Sequence, residues 1–169
     1  MAVRWSRLLR HRLIDERDAL RLLGEGALSR IQARVAESER RHSGEIRVCV
    51  EGGLPLSYLW RDAAPRERAI SVFGKLGVWD TEANNGVLIY LLLADHQIEI
   101  VADRGIDRLV DDAEWAAIAE TMSTLFHAGS FEAGILRAID AVEVLLVRHF
   151  SLAEGARDTN ELPDEPAMY

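Results

Sequence analysis

The stretch from Gly86 to Asp103, GVLIYLLLADHQIEIVAD, restricts the fold more than any other part of the chain. Residues 86 to 93 are an unbroken apolar run of strand length, ADHQ is a short turn, and IEIVAD alternates apolar with polar positions as a half-covered strand does. Together they predict a β-hairpin whose first strand is among the most buried segments of the molecule. A second strand is expected upstream in EIRVCVEGG, where Ile46, Val48 and Val50 alternate with Glu45, Arg47, Cys49 and Glu51.

Helices are available to cover both faces of these strands. From Glu25 to His42, Leu28, Ile31 and Val35 recur at helical spacing among Arg30, Arg34, Glu37, Arg40 and Arg41, and Gly44 is expected to end the helix in the left-handed conformation. Pro65 suits the first turn of a helix with Ile70, Phe73 and Leu76 on one side. After the hairpin, Asp111 or Asp112 is placed to cap a helix bearing Trp115, Ile118, Ala119, Met122, Leu125 and Phe126. Ser130 is placed to cap another, with Phe131, Ile135, Ile139, Val142 and Leu146 inward. The expected order is helix, strand, helix, strand, strand, helix, helix. A helix between the first two strands implies a parallel, right-handed crossover. The expected architecture is therefore α/β, a three-layer α/β/α sandwich with a central mixed sheet containing a β-hairpin.

The 169 residues suffice for one domain, expected over residues 25–150, between a basic N-terminal arm (1–24) and an acidic, disordered tail (151–169). A net charge of -8 argues against general affinity for nucleic acid, so no nucleic-acid partner is expected. Residues 1 to 21 nevertheless carry six Arg against Asp15, Glu16 and Asp18, a net of +3. With Trp5, Leu8 and Leu9 among these arginines, residues 1–21 suit peripheral contact with an anionic membrane or a partner, or simple terminal packing. Cys49 is the only cysteine and is expected as a buried, inert thiol. No secretory signal and no spanning helix are legible, which makes the expected location cytoplasmic, with contact at the membrane periphery as the variant.

Parallel strands start on one rim, which brings Glu45 close to Asn84, Asn85 and Gly86. Counting outward from the hairpin turn sets Gly105 opposite Gly86 and Asp107 opposite Asn84. On this register Glu45, Asp80, Glu82, Asn84, Asn85, Asp103, Arg104, Asp107 and Asp111 gather on one rim. Several oxygen ligands in reach of one point suit calcium or magnesium, whereas Arg104 and the amides around Gly105 suit an anion. Turns and caps account for the same residue types: Asp and Asn bond to their own backbone in turns, and Asp111 with Glu114 has capping-box spacing. The general rule for parallel sheets favours the opposite rim, near Glu51, Gly52 and Gly53. Elsewhere the sequence is sparse in chemistry. His11, His42, His96, His127 and His149 lack zinc-ligand spacing, and there is neither a phosphate-binding loop nor a nucleophile elbow. Trp60, Trp79 and Trp115 are expected in packing roles, with Trp79 beside the acidic rim.

The order SGEIRV, VFGKLGVWD, NNGVLIYLLLADHQIEIVADRGID and FHAGSFEAGILRAIDAV resembles the TPM domain family over about residues 25 to 150. The resemblance implies an α/β/α sandwich. It also implies an activity unsettled between members: acid phosphatase activity is attributed to a plant member and divalent-cation binding to others. The family's acidic rim corresponds to Glu45, Asp80, the Asn84-Asn85-Gly86 turn, Asp103 and Asp107. Two differences stand out at that rim. Asn84 replaces a frequent Asp, and DRGID replaces a Gly-Tyr-Gly segment that ends in Glu, which adds Arg104. Many members are exported and membrane-anchored, features this sequence does not display. The expectation is a non-catalytic module that binds a partner protein, with a divalent-metal-dependent phosphatase and a passive calcium or magnesium site as the alternatives.

Overall fold

The computed structural model describes residues 5–14, 16–153, 155–156 and 159–169. The parts of the arm and tail expectations that fall on residues 1–4, 15, 154, 157 and 158 lie outside these described residues. Three helices come first: α1 (Trp5–Leu13), α2 (Glu16–Leu23) and α3 (Ala27–Ser38). Strand β1 (Ile46–Glu51) follows, then α4 (Leu56–Trp60) and α5 (Pro65–Lys75), then the hairpin of β2 (Val87–Leu92) and β3 (Gln97–Ala102). A short α6 (Arg104–Asp107) leads to α7 (Asp112–His127), α8 (Phe131–Phe150) and finally β4 (Ala167–Met168).

The strands form one mixed sheet in the order β3-β2-β1-β4. β1 runs parallel to β2, and β2 antiparallel to β3, in the register Ile46↔Val87↔Ala102. Every residue of β1 and β2 is buried, because both strands are covered on both faces. On one face Ile46, Val48, Val50, Val87, Ile89 and Leu91 pack with α3, α7 and α8 through residues such as Ile31, Val35, Met122, Phe126, Ile135 and Val142. On the other face Cys49, Leu88, Tyr90 and Val101 meet Leu59 of α4, Ala69 and Val72 of α5, and Val78. This is the three-layer arrangement expected from the sequence. Each fully buried Leu or Ile contributes about 1.5–3 kcal/mol relative to exposure, so the double-sided cover of β2 anchors the fold.

Four details depart from the sequence reading. First, α3 stops at Ser38 with Glu39 in right-handed geometry, and Gly44 has no left-handed backbone; it lies just before β1. Second, Ile70 faces solvent, and the small residues Ala69 and Val72 make the contact that lets α5 approach the sheet closely. Third, the hairpin register is two residues shorter on the β3 side than counted from its turn, because the turn occupies residues 93–96 and Asp103 pairs with Gly86 through its N–H (2.8 Å). Asn84 therefore faces Gly105, not Asp107, with the Gly105 N–H on the Asn84 carbonyl at 2.8 Å. Fourth, residues 159–169 of the supposedly disordered tail return across the rim and add β4 beside β1, in the register Cys49↔Ala167 and Val50↔Met168. No helix among the described residues is long and apolar enough to cross a membrane.

Candidate functional site

The rim at the start of β1 and β2 is organised around one row: Glu45, Gly86 and Asp103 lie side by side across three strands. Gly86 is required there by close approach. A Cβ on it would lie 2.0 Å from the Val78 carbonyl oxygen, so the chain entering from α5 crosses directly over the middle of the row. With strands about 4.8 Å apart, the backbones of Glu45 and Asp103 stand on the order of 10 Å from each other, on either side of that crossing.

The acids that flank the row have different environments. Asp103 caps α6, its Oδ1 accepting the Arg104 N–H at 2.7 Å, while its buried Oδ2 has no hydrogen-bond partner among the described residues. Asn85 is buried too: its N–H donates to Thr81 Oγ1 (3.1 Å) and its Nδ2 to the Ser43 carbonyl (3.0 Å), and its Oδ1 is likewise without a partner. Asp80, Glu82, Asn84, Arg104, Asp107 and Asp111 are exposed. Asn84 is a turn residue in the left-handed region (φ 53°). Asp107 faces a separate shallow cavity of about 230 Å³ with Arg66, Glu99, Asp112 and Trp115. Of the three tryptophans expected to pack, only Trp115 lies against the core; Trp60 and Trp79 are exposed, and Trp79 donates its indole N–H to the Gly74 carbonyl at 3.3 Å.

The nine residues thus share a rim without sharing a point. Among the described residues no three His, Cys, Asp or Glu side chains converge where a metal ion could sit. Two buried oxygens without partners, on Asn85 and Asp103, suit a water-rich site for a hard cation. They fall short of the six to eight oxygens calcium takes, and do not fit the enclosed carboxylate set of a metal-dependent hydrolase.

Glu45 is committed elsewhere. Its two carboxylate oxygens accept the backbone N–H groups of Glu161 (3.0 Å) and Leu162 (3.2 Å). Arg47, two residues along on the same face of β1, donates to the backbone carbonyls of Pro163 and Glu165, the latter at 2.8 Å. The returning segment also accepts the Glu82 N–H on the Glu161 carboxylate (3.0 Å), and joins β1 through Tyr169 N–H to the Val50 carbonyl (3.1 Å) and Gly52 N–H to the Tyr169 carbonyl (2.9 Å). Where the segment meets the end of α3, it leaves a cavity of about 420 Å³ lined by Glu39, His42, Glu45, Thr159, Asn160 and Asp164. Burial, followed by the nearby Glu45 and Asp164 carboxylates, pushes the Glu39 carboxyl up to about 9, although it accepts the Ile46 N–H. Burial holds His42 down at about 4; its Nδ1–H donates to the Gly44 carbonyl (2.9 Å) and its Nε2 accepts from Ser38 (2.8 Å).

The opposite rim is closed. Glu51 receives both guanidinium arms of Arg68 (2.8 and 2.9 Å) and the Tyr90 hydroxyl (2.6 Å). Cys49, in the same layer, is buried with its thiol pushed up to about 12 by burial, as suits an inert core cysteine.

Sequence reasoning did not single out Glu39, Asp164 or the C-terminal segment, and gave Arg47 no role. The signal available was slight: Leu162, Met168 and Tyr169 are apolar positions inside an acidic stretch, and two prolines are compatible with an edge segment.

No curated protein matches the sequence. Among solved structures, the chain is similar to the NMR structure of the BA42 protein from the psychrophilic bacterium Bizionia argentinensis, with 27% identity and a TM-score of 0.74 over 86% of this chain and 94% of that one. The N-terminal domain of a protein from P. gingivalis shares the fold at 18% identity, with a TM-score of 0.56 over 78% of this chain and 83% of that one. The model of the TPM domain matches residues 17–145, most of the sandwich from α2 into α8, and on that match the chain belongs to the TPM domain family.

Proposed function

We propose that this TPM domain is a non-catalytic binding module that takes an extended protein segment along the free side of β1, the place its own C-terminal residues fill. One observation carries the reading. Glu45 and Arg47, 3% and 6% exposed, hold the segment through its backbone, the acid on two N–H groups and the guanidinium on two carbonyls. A buried acid and base that read main chain beside a sheet edge are the elements of strand-addition recognition, where backbone bonds supply affinity and pockets supply specificity. The family match ends at residue 145, so the groove belongs to the shared sandwich and the occupant lies outside the matched region. The separation of the rim acids supports the non-catalytic part of the reading.

The test uses the whole chain with Leu162, Pro163, Met168 and Tyr169 all changed to Gly, and a labelled peptide TNELPDEPAMY. The peptide is expected to bind this variant saturably, to bind the unaltered chain far more weakly because the tethered segment competes, and to lose binding when Glu45→Gln and Arg47→Met are added. Absence of binding to a variant whose core NMR spectrum is intact overturns the proposal.

A second reading, a passive site for calcium or magnesium, is favoured by the unpartnered oxygens of Asn85 and Asp103. Titrating chelator-stripped protein with either ion, with a phosphate ester in the same tubes, separates the cases. Saturable shifts at those two amides without turnover support the passive site. Turnover abolished by Asp103→Asn would instead make the chain a phosphatase.

A further inference from the structure

We propose that the outward face of α1, continued by α4, docks on an anionic phospholipid surface, a role independent of the β1 groove. The basic segment at the N-terminus is not a loose arm over its described part, because α1 is locked in rotation. Leu8 packs into the core, and the Leu54 N–H donates to His11 Nδ1 at 2.9 Å while His11 Nε2 bonds Asp95 at 3.0 Å. Arg7 reaches Asp95 (3.0 Å), Asp62 (2.6 Å) and the Ala63 carbonyl (3.2 Å). Gly53 admits the helix: a Cβ there would lie 2.3 Å from the His11 carbonyl oxygen.

With Arg7, Leu8 and His11 turned inward, helical geometry turns Trp5, Leu9 and Leu13 outward, at intervals of four residues along one line. They are 70%, 59% and 75% exposed. Arg10 and Arg12 flank that line on either side and are also exposed. Helix α4 touches α1 and adds Leu56 and Trp60, one turn apart and 47% and 65% exposed, around a shallow hollow that includes Ser57 and Arg61. Scattered exposed apolar residues are ordinary, but three in one line on α1 and two more one turn apart on a helix that touches it are a concentration that calls for a partner.

Charge and composition favour lipid. The molecule carries -8 overall, yet residues 1–21 carry +3 and α1 holds no acidic residue. The acids that α1 contacts are already engaged by bases, Asp62 by Arg7 and Asp95 by Arg7, Arg10 and His11, and beside α4 Glu67 is engaged by Arg61. Tryptophan and leucine facing out between arginines is the composition of helices that lie in the headgroup layer, with indole and guanidinium at the depth of the phosphates.

The test is co-sedimentation of the full chain with vesicles of phosphatidylcholine alone or of equal parts phosphatidylcholine and phosphatidylglycerol. Binding is expected to the anionic vesicles only, and to fall with added salt. Arg12→Glu is expected to weaken it by roughly fivefold or more. Leu9→Asp with Trp60→Asp is expected to weaken it by roughly tenfold or more. Val144→Asp, an exposed position on α8, is expected to leave it unchanged, and all variants keep the parent Tm. Equal binding to both vesicle types, binding indifferent to the Leu9 and Trp60 pair, or no binding overturns the proposal. A concentration-dependent dimer abolished by the same pair, without vesicle binding, also overturns it and makes the face a contact with a second copy.

Discussion

Glu39 closes α3 and faces the cavity beneath the C-terminal segment, where its carboxyl stays protonated to about 9 against 4.5 in an unfolded chain. The native state therefore holds an extra proton between those values. The stability it confers is complete below about pH 4.5 and is lost as pH rises to 9, by up to about 1.4 kcal/mol per pH unit. His42 acts in the opposite sense: held at about 4 instead of 6.5, it costs stability as pH falls from 6.5 toward 4. Between pH 7 and 9 only the Glu39 effect remains of the two. The Tm is expected to decline across that window, and Glu39→Gln to flatten the decline; equal slopes would remove the assignment. Gly86 gives a steric prediction of the same scale. Gly86→Ala sets a methyl against the Val78 carbonyl and is expected to destabilise by about 3 kcal/mol in denaturant titration.

At the level of elements, legibility in the sequence followed the contrast between faces. Five positions read as the inner side of α8, Phe131, Ile135, Ile139, Val142 and Leu146, are all buried and recur against Glu132, Arg137 and Arg148, although Gly134, Ala138, Glu143 and Leu145 are buried with them. The hairpin and the parallel crossover were readable for the same reason. α5 was readable only in part: Phe73 and Leu76 pack against the core as read, but Ile70 is exposed and the smaller Ala69 and Val72 are buried against the sheet in its place. β4 was invisible, because a two-residue strand has no periodicity and its acidic, proline-containing surroundings match those of an unstructured tail. Its attachment predicts a pattern in hydrogen exchange. Tyr169 and Gly52, bonded across the β1–β4 seam, are expected to exchange well before Val87 and Asp103, bonded among β1, β2 and β3. Equal protection would mean that β4 opens only with the whole sheet.

For the molecule as a whole, the sequence carried the layers, and it did not carry which of the acidic residues near the strand starts meet one another. Which acids meet depends on a crossing at Val78, on a two-residue difference in hairpin register, and on partners far along the chain such as His11 with Asp95. None of these leaves a local pattern. Glu45 illustrates the point, since the backbone it binds at Glu161 lies 116 residues away. That separation also has a kinetic consequence. Closing a loop of this length costs on the order of 3 kcal/mol more chain entropy than closing the hairpin turn, and only a short seam repays it. The sandwich is therefore expected to condense first around β2, leaving β1 for a time as a bare margin, with the charges of Glu45 and Arg47 still in water until the segment arrives to cover them.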